Sequence, residues 1–353
     1  MKILILGGTG AMGIHLVELL KAEHQLFVTS RRRQKQQEKV HYIQGDGKDL
    51  LFVRKILQEE RWDVIVDFMV YTTAEFEERY ALFLKHTAQY IFLSSARVYA
   101  DQHSIIKESS PRLLDVSTDD AYLASDEYAL AKARQEDLLY NAEQRNWTII
   151  RPYITYSENR FQLGVLEKEE WLYRAMKGRT IVFSEEMMQR FTTLTYGFDV
   201  ARGMAKVIGN SASFGNTFHI TGNAPAKWEQ VLKIYLSLLR QKLNLVPRIK
   251  LVDTAVFLEI KRGRYQILYD RLYDRRFDNQ RINALIAVDD FREMQSGLSA
   301  CMDIFLNAPS FLTIDWRKEA QKDRLTKEGA SLSEISGVKN KFRYLLYRYI
   351  KNV

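Results

Sequence analysis

The chain opens Met1-Lys2-Ile3-Leu4-Ile5-Leu6-Gly7-Gly8-Thr9-Gly10-Ala11-Met12-Gly13, and this stretch decides the fold. Four consecutive aliphatic residues within 2–6 predict a strand buried on both faces, since a half-exposed strand would alternate apolar with polar. Glycines follow at once, and over 12–21 the apolar residues return with helical spacing. Strand, glycine turn and helix in that order build a phosphate cradle. Gly7 permits a tight turn, Gly10 lets backbone approach a pyrophosphate, and Gly13 lets helix and strand pack closely. The helix start adds free N–H groups and the positive end of its dipole. Gly7, Thr9, Gly10, Ala11, Met12 and Gly13 are the expected cofactor contacts.

Working outward, strand-like runs fall at 2–6, 25–29, 40–44, 63–69, 89–94 and 147–151, separated by helical stretches at 12–21, 48–60, 74–86 and 120–145. Strands alternating with helices predict parallel pairing, because a parallel neighbour is reached only through a crossover. The expected fold class is α/β: a doubly wound parallel-sheet Rossmann domain over residues 1–160. After Arg151-Pro152 the rhythm loosens, with helices predicted at 167–177, 198–209 and 227–240 and strands at 180–183 and 216–221. Residues 161–353 are expected to form a smaller mixed α/β substrate domain, with about 180–220 returning to the first sheet.

Composition narrows the class. A length of 353 residues exceeds one ordinary core, and 46% hydrophobic with 27% charged residues excludes a disordered chain. Cys301 is the lone cysteine, which excludes a disulfide framework and suits a reducing compartment. No apolar run reaches the roughly 18–20 residues of a membrane span, and the opening run is too short for a signal peptide. A cytoplasmic protein is the expectation. The histidines at 15, 24, 41, 86, 103 and 219 show no ligand spacing, so no metal is expected. The net charge of +8 suits nucleic acid, an anionic membrane or phosphorylated small molecules, and does not choose among them.

The second strand ends Val28-Thr29-Ser30-Arg31-Arg32-Arg33, with no carboxylate for the ribose hydroxyls of NAD. Ser30 and Arg31 suit a ribose 2′-phosphate instead, because guanidinium offers phosphate a fork of donors, so NADP is preferred over NAD. Asp46, after the third strand, is the expected adenine contact.

The fifth strand ends Phe92-Leu93-Ser94-Ser95-Ala96-Arg97-Val98-Tyr99, and a later helix carries Tyr128-Ala129-Leu130-Ala131-Lys132. Tyr128 and Lys132, four apart, share a helix face. A free phenol titrates near 10 and is a poor base at neutral pH, but a nearby ammonium favours its phenolate. The predicted roles are proton transfer for Tyr128, tuning and ribose contact for Lys132, and orientation of the substrate oxygen for Ser95.

Together the Gly7/Gly10/Gly13 loop, the Ser94–Tyr99 strand end, the Tyr128/Lys132 pair and Arg151-Pro152 resemble the extended short-chain dehydrogenase/reductases, in the NAD-dependent epimerase/dehydratase family, over about 1–220. The resemblance implies an NAD(P)-dependent epimerase or oxidoreductase acting on a sugar, of nucleotide-sugar type, with Pro152 near the nicotinamide. Relatives carry an acidic pair for 4,6-dehydration where Ala96 and Arg97 stand, so dehydratase activity is not expected. Ile154 and Tyr156-Ser157 depart from the asparagine and Tyr-Gly common in the family. Arg190-Phe191, ahead of Asp199-Val200-Ala201, resembles the family's phosphate-binding arginine segment and makes Arg190 a candidate substrate contact. A homodimer is a further implication. Because some relatives, such as chloroplast stem-loop RNA-binding proteins, act on nucleic acid, the alternative is a catalytically idle member that binds nucleic acid or a partner.

At the far end Phe342, Leu345, Leu346 and Tyr349 share a helix face, surrounded by Lys339, Lys341, Arg343, Arg348 and Lys351. The expectation is that this face docks on the protein body. The other reading is a basic amphipathic anchor for membrane or nucleic acid.

Overall fold

The computed structural model describes residues 1–350, so Lys351 of the basic tail lies outside the described residues. The chain divides into two compact units. The first comprises Met1–Ser157, Thr193–Ala224 and Arg276–Met294; the second comprises Glu158–Thr192, Pro225–Arg275 and the chain from Gln295 onward. The segment 276–294 had no sequence signal assigning it to the first unit.

A seven-stranded parallel sheet forms the first unit: β1 (Lys2–Leu6), β2 (Gln25–Ser30), β3 (Val40–Gln44), β4 (Trp62–Asp67), β5 (Thr87–Leu93), β6 (Trp147–Pro152) and β7 (Asn216–Ile220). The spatial order is β7-β6-β5-β4-β1-β2-β3, a doubly wound Rossmann arrangement. Strand β1 shows why an unbroken aliphatic run was needed. Ile3 and Ile5 face one layer, with Leu16, Val17 and Leu20 of α1 (Gly13–Leu20), while Leu4 and Leu6 face the other, with Val53, Ile56 and Leu57 of α2 (Leu50–Glu59). All four are fully buried, each stabilising the fold by roughly 1.5–3 kcal/mol relative to exposure.

Two predicted helices are each broken in two. The stretch 74–86 becomes Thr73–Glu77 and Tyr80–Lys85, and 120–145 becomes Asp120–Leu123 and α3 (Tyr128–Tyr140). Capping decides the second break: the Glu127 carboxylate accepts the Ala129 N–H at 2.8 Å, so a new helix starts at Tyr128. Helix α4 (Gly197–Val207) packs on α1 and completes one layer.

In the second unit, Ile181–Ser184 pairs parallel with Ile249–Val252 and Phe191–Thr192 pairs antiparallel with Ala226–Lys227. Its last helices are α5 (Trp316–Thr326) and α6 (Val338–Leu345), the latter continuing as a π-helical turn over Leu346–Ile350. They are organised around buried charge. Arg174, fully buried, donates to Glu319 at 2.8 Å and to Asp323 at 2.7 Å, and the Tyr344 hydroxyl donates to Asp323 at 2.6 Å. That last bond corrects the expected docking of the tail. The helix packs through Tyr344 and Tyr347 against Trp316, Ala320 and Ile335, while Phe342 and Tyr349 stay 67% exposed. A phenol that both fills an apolar gap and satisfies a buried carboxylate outcompetes a purely apolar face.

Among the described residues, no helix is long and apolar enough to cross a membrane, and no group of His, Cys, Asp and Glu could hold a metal ion.

Candidate active site

Strand β1 lies between β4 and β2, so the chain leaves it in opposite directions on its two sides and a crevice opens beyond the strand ends. A cavity of about 540 Å³ occupies this place. Of the predicted cofactor contacts, Gly7, Thr9, Gly10, Ser30, Arg31 and Asp46 line it, whereas Ala11, Met12, Gly13, Lys132 and Pro152 do not.

The glycines explain the division. Gly7 has φ +75°, a conformation few side chains tolerate, and its N–H donates to Thr29 Oγ1 at 3.0 Å. A Cβ on Gly10 would meet nothing within 4 Å, leaving that backbone open to a ligand. A Cβ on Gly13 would sit 2.7 Å from the Gly8 carbonyl, so this glycine serves the close packing of helix against turn. Ala11 faces α4, where its carbonyl oxygen would lie 2.6 Å from a Cβ on Gly197. No side chain caps the start of α1 at Met12, which leaves its first N–H groups available to an anion. A dinucleotide fits these features: open backbone at Gly10, an uncapped helix start and a cavity reaching Arg31 and Asp46.

At the rim, Arg31 is exposed and lines the cavity, while Arg32 and Arg33 are exposed and do not. The Ser30 hydroxyl is engaged in its own turn, donating to the Arg32 carbonyl at 2.8 Å, and so shapes the loop that presents Arg31. Asp46 accepts the Lys48 N–H at 3.0 Å through one carboxylate oxygen.

Lys132 is 1% exposed, with its Nζ 3.5 Å from the carbonyl oxygen of Met69, which lines the cavity, and 4.4 Å from the centre of the Phe92 ring. Burial pulls its ammonium down to about 8, opposed by the charges of Asp67 and Glu136. Asp67, at the end of β4 and fully buried, is pushed up to about 6 by burial. The Met69 N–H at 2.9 Å, the Tyr90 hydroxyl at 2.8 Å and the Lys132 charge oppose that rise.

Tyr128 is the first residue of α3 and is partly exposed. The Arg97 guanidinium lies 5.1 Å from the centre of its ring and pairs with Glu127 at 2.5 Å. The Arg97 backbone N–H donates to Ser95 Oγ at 3.2 Å, a local turn at the end of β5. Pro152 ends β6 and pairs with Ile220 of β7. Arg190 is exposed and belongs to the second unit, where its carbonyl accepts the Trp228 N–H at 3.1 Å.

Sequence reasoning missed two groups. Phe68, Met69 and Val70 line the cavity from the end of β4, which the rule placing ligands at carboxyl ends beside a switch point would have indicated. Glu136, fully buried, accepts from Ser94 Oγ at 2.6 Å and from Arg151 at 2.8 and 2.6 Å. Its signal was a carboxylate four residues past Lys132, on that same helix face.

These features are those of an extended short-chain dehydrogenase/reductase. The model of the NAD dependent epimerase/dehydratase family matches residues 3–220, and the chain belongs to that family. Over 249 residues it is 29% identical to the chloroplast stem-loop binding protein of 41 kDa b of Arabidopsis thaliana, a match covering 66% of this chain and 61% of that protein. The chain thus spans less than two thirds of that curated relative. Its fold is similar to that of the Bordetella bronchiseptica enzyme WbmH, solved in complex with NAD+, with a TM-score of 0.68 and 14% identity over 88% of this chain and 99% of that one. It is also similar to UDP-glucuronic acid 4-epimerase from Bacillus cereus, solved with UDP-glucuronic acid and NAD, with a TM-score of 0.65 and 16% identity over 87% and 99% of the two chains. At such identities the likeness establishes the fold.

Proposed function

We propose that this protein is an NAD(P)-dependent epimerase or reductase of sugar nucleotides that works in a reducing cytoplasm. The observation that carries this reading is the buried Lys132 ammonium, 3.5 Å from the carbonyl oxygen of the cavity-lining Met69 and one helical turn from Tyr128. Family membership and the nucleotide sugar held by the Bacillus cereus epimerase support it.

The open backbone at Gly10 and the start of α1 hold the pyrophosphate, and Arg31 at the rim favours a 2′-phosphate and hence NADP. A bound dinucleotide supplies hydride exchange at a sugar carbon, giving an epimer when the hydride returns to the opposite face and a reduced sugar when it is delivered for good. Tyr128 moves the proton of the sugar hydroxyl, Lys132 keeps positive charge near the phenol, and Ser95 orients the sugar oxygen. Dehydration at C4 and C6 is outside this reading, because Arg97, a cation engaged by Glu127 and the Tyr128 ring, stands where an acid is required.

Incubation with UDP- and dTDP-sugars tests the proposal, following the near-ultraviolet absorbance of reduced nicotinamide and the stereochemistry of the product. Undiminished turnover by Tyr128→Phe would remove the mechanism.

The 29% identity to a stem-loop binding protein favours one second reading, a nucleic-acid-binding member of the family. The net charge of +8 is compatible with it, whereas the buried Lys132 has no task in it. Stem-loop binding that persists at moderate salt, without any turnover of sugar nucleotides, would favour this reading; binding that collapses steeply with salt is the non-specific electrostatic kind.

A further inference from the structure

The tail of the second unit presents an uncovered apolar stripe. Val338 is 83% exposed, Phe342 67%, Tyr349 67% and Ile350 73%, and Leu345 lies between them on the same side. Val338, Phe342, Leu345 and Tyr349, three or four residues apart, align along one face of the helix, and Ile350 follows at its end. Lys339, Lys341 and Arg348 flank the stripe, and no Asp or Glu occurs from Val338 to Ile350. The helix is held in this attitude by the bond from the Tyr344 hydroxyl to Asp323, so the stripe is presented ready-made.

The other side of the helix is turned inward: Asn340, Arg343 and Tyr347, about half a turn from the stripe, line a cavity of about 420 Å³ together with Arg262 and Arg317.

We propose that this stripe and the basic side chains flanking it form a docking site for an anionic phospholipid surface, with the apolar side chains entering the acyl boundary and Lys339, Lys341 and Arg348 meeting the headgroup phosphates. Aliphatic Val338, Leu345 and Ile350 suit an acyl layer and offer nothing to stack on a nucleic-acid base.

Co-sedimentation of the full chain with vesicles tests this. Vesicles of phosphatidylcholine mixed with phosphatidylglycerol are expected to carry the protein down, and phosphatidylcholine alone to leave it in solution. The double substitution Phe342→Ser, Ile350→Ser should weaken the binding by at least about tenfold. Lys339→Gln should weaken it about fivefold, while Tyr128→Phe leaves vesicle binding unchanged. These tail side chains are exposed, and unchanged thermal unfolding confirms that the variants fold. The proposal is overturned by equal binding to both vesicle types or by binding indifferent to the tail substitutions. It is equally overturned if the tail instead captures generic RNA, or joins two copies of the chain in light scattering, while vesicles stay unbound.

Discussion

The Lys132 ammonium lies 3.5 Å from the carbonyl oxygen of Met69, a residue that lines the cavity at the carboxyl end of the sheet. A cation this deeply buried persists because Asp67 and Glu136 offset part of its desolvation. Lys132 at about 8 and Asp67 at about 6 are both charged between those values. The site is therefore fully ionised only in a narrow band near neutrality.

A pH profile follows from that pair. Catalytic efficiency should fall as pH rises through about 8, where Lys132 loses its proton. Asp67→Asn removes an anion that supports the ammonium, so the basic limb should move to lower pH; an unmoved limb would contradict the coupling. For stability the sign is set by the raised carboxyl: Asp67's favourable contribution is complete below 3.8 and lost as pH rises through about 6. Denaturant midpoints across that range check it.

Tyr128→Phe should lower kcat by about 10²–10⁴, the usual worth of a positioned acid–base group. Because the ring is partly exposed and the substitution removes one oxygen, Tm should stay unchanged. Kinetics and thermal unfolding on one preparation separate loss of chemistry from loss of fold.

Arg31→Ala should weaken NADP about tenfold or more, the worth of charge-assisted hydrogen bonds to phosphate, and leave NAD affinity near its starting value. Calorimetric titration with both dinucleotides measures the difference. Equal losses for the two would assign Arg31 to the shared pyrophosphate.

Gly13→Ala sets two effects in opposition. Alanine favours a helix by about 1 kcal/mol, less at a first position. Its Cβ would lie 2.7 Å from the Gly8 carbonyl, and overpacking against backbone costs about 1–3 kcal/mol. Net destabilisation is expected in urea unfolding, with weaker dinucleotide binding because the turn itself must shift.

Glu136→Gln should destabilise the fold by about 3–5 kcal/mol, since Arg151, 1% exposed, loses its compensating charge. Urea denaturation reads this directly, and a change below about 1 kcal/mol would mean that Tyr140 and the Glu108 carbonyl suffice to hold the guanidinium.

The sheet was legible because β1 through β6 are short apolar runs between helical stretches, and crossovers leave little choice of pairing. The break before Tyr128 was not, since it depends on a single cap from Glu127 rather than on periodicity. The glycine turn could be read, but which of its residues face a ligand could not: Ala11 is claimed by α4, an element some 190 residues away in sequence. The tail helix was misjudged because apolar spacing counts surface and not hydrogen bonds, and Asp323 bonded to Tyr344 turns the opposite face inward. Asp67 gave no signal either, as a lone aspartate ending a strand looks like any turn residue until its burial is known.

Absorbance of reduced nicotinamide, followed in a rapid mixing experiment between cofactor-loaded protein and sugar nucleotides, bears most directly on the role given to Tyr128 and Lys132. A transient rise, or its consumption when reduced cofactor is supplied, is expected in the wild-type protein and should vanish in Tyr128→Phe and Lys132→Met. An unchanged signal with every sugar nucleotide despite bound cofactor, or an equal signal in Tyr128→Phe, would contradict it.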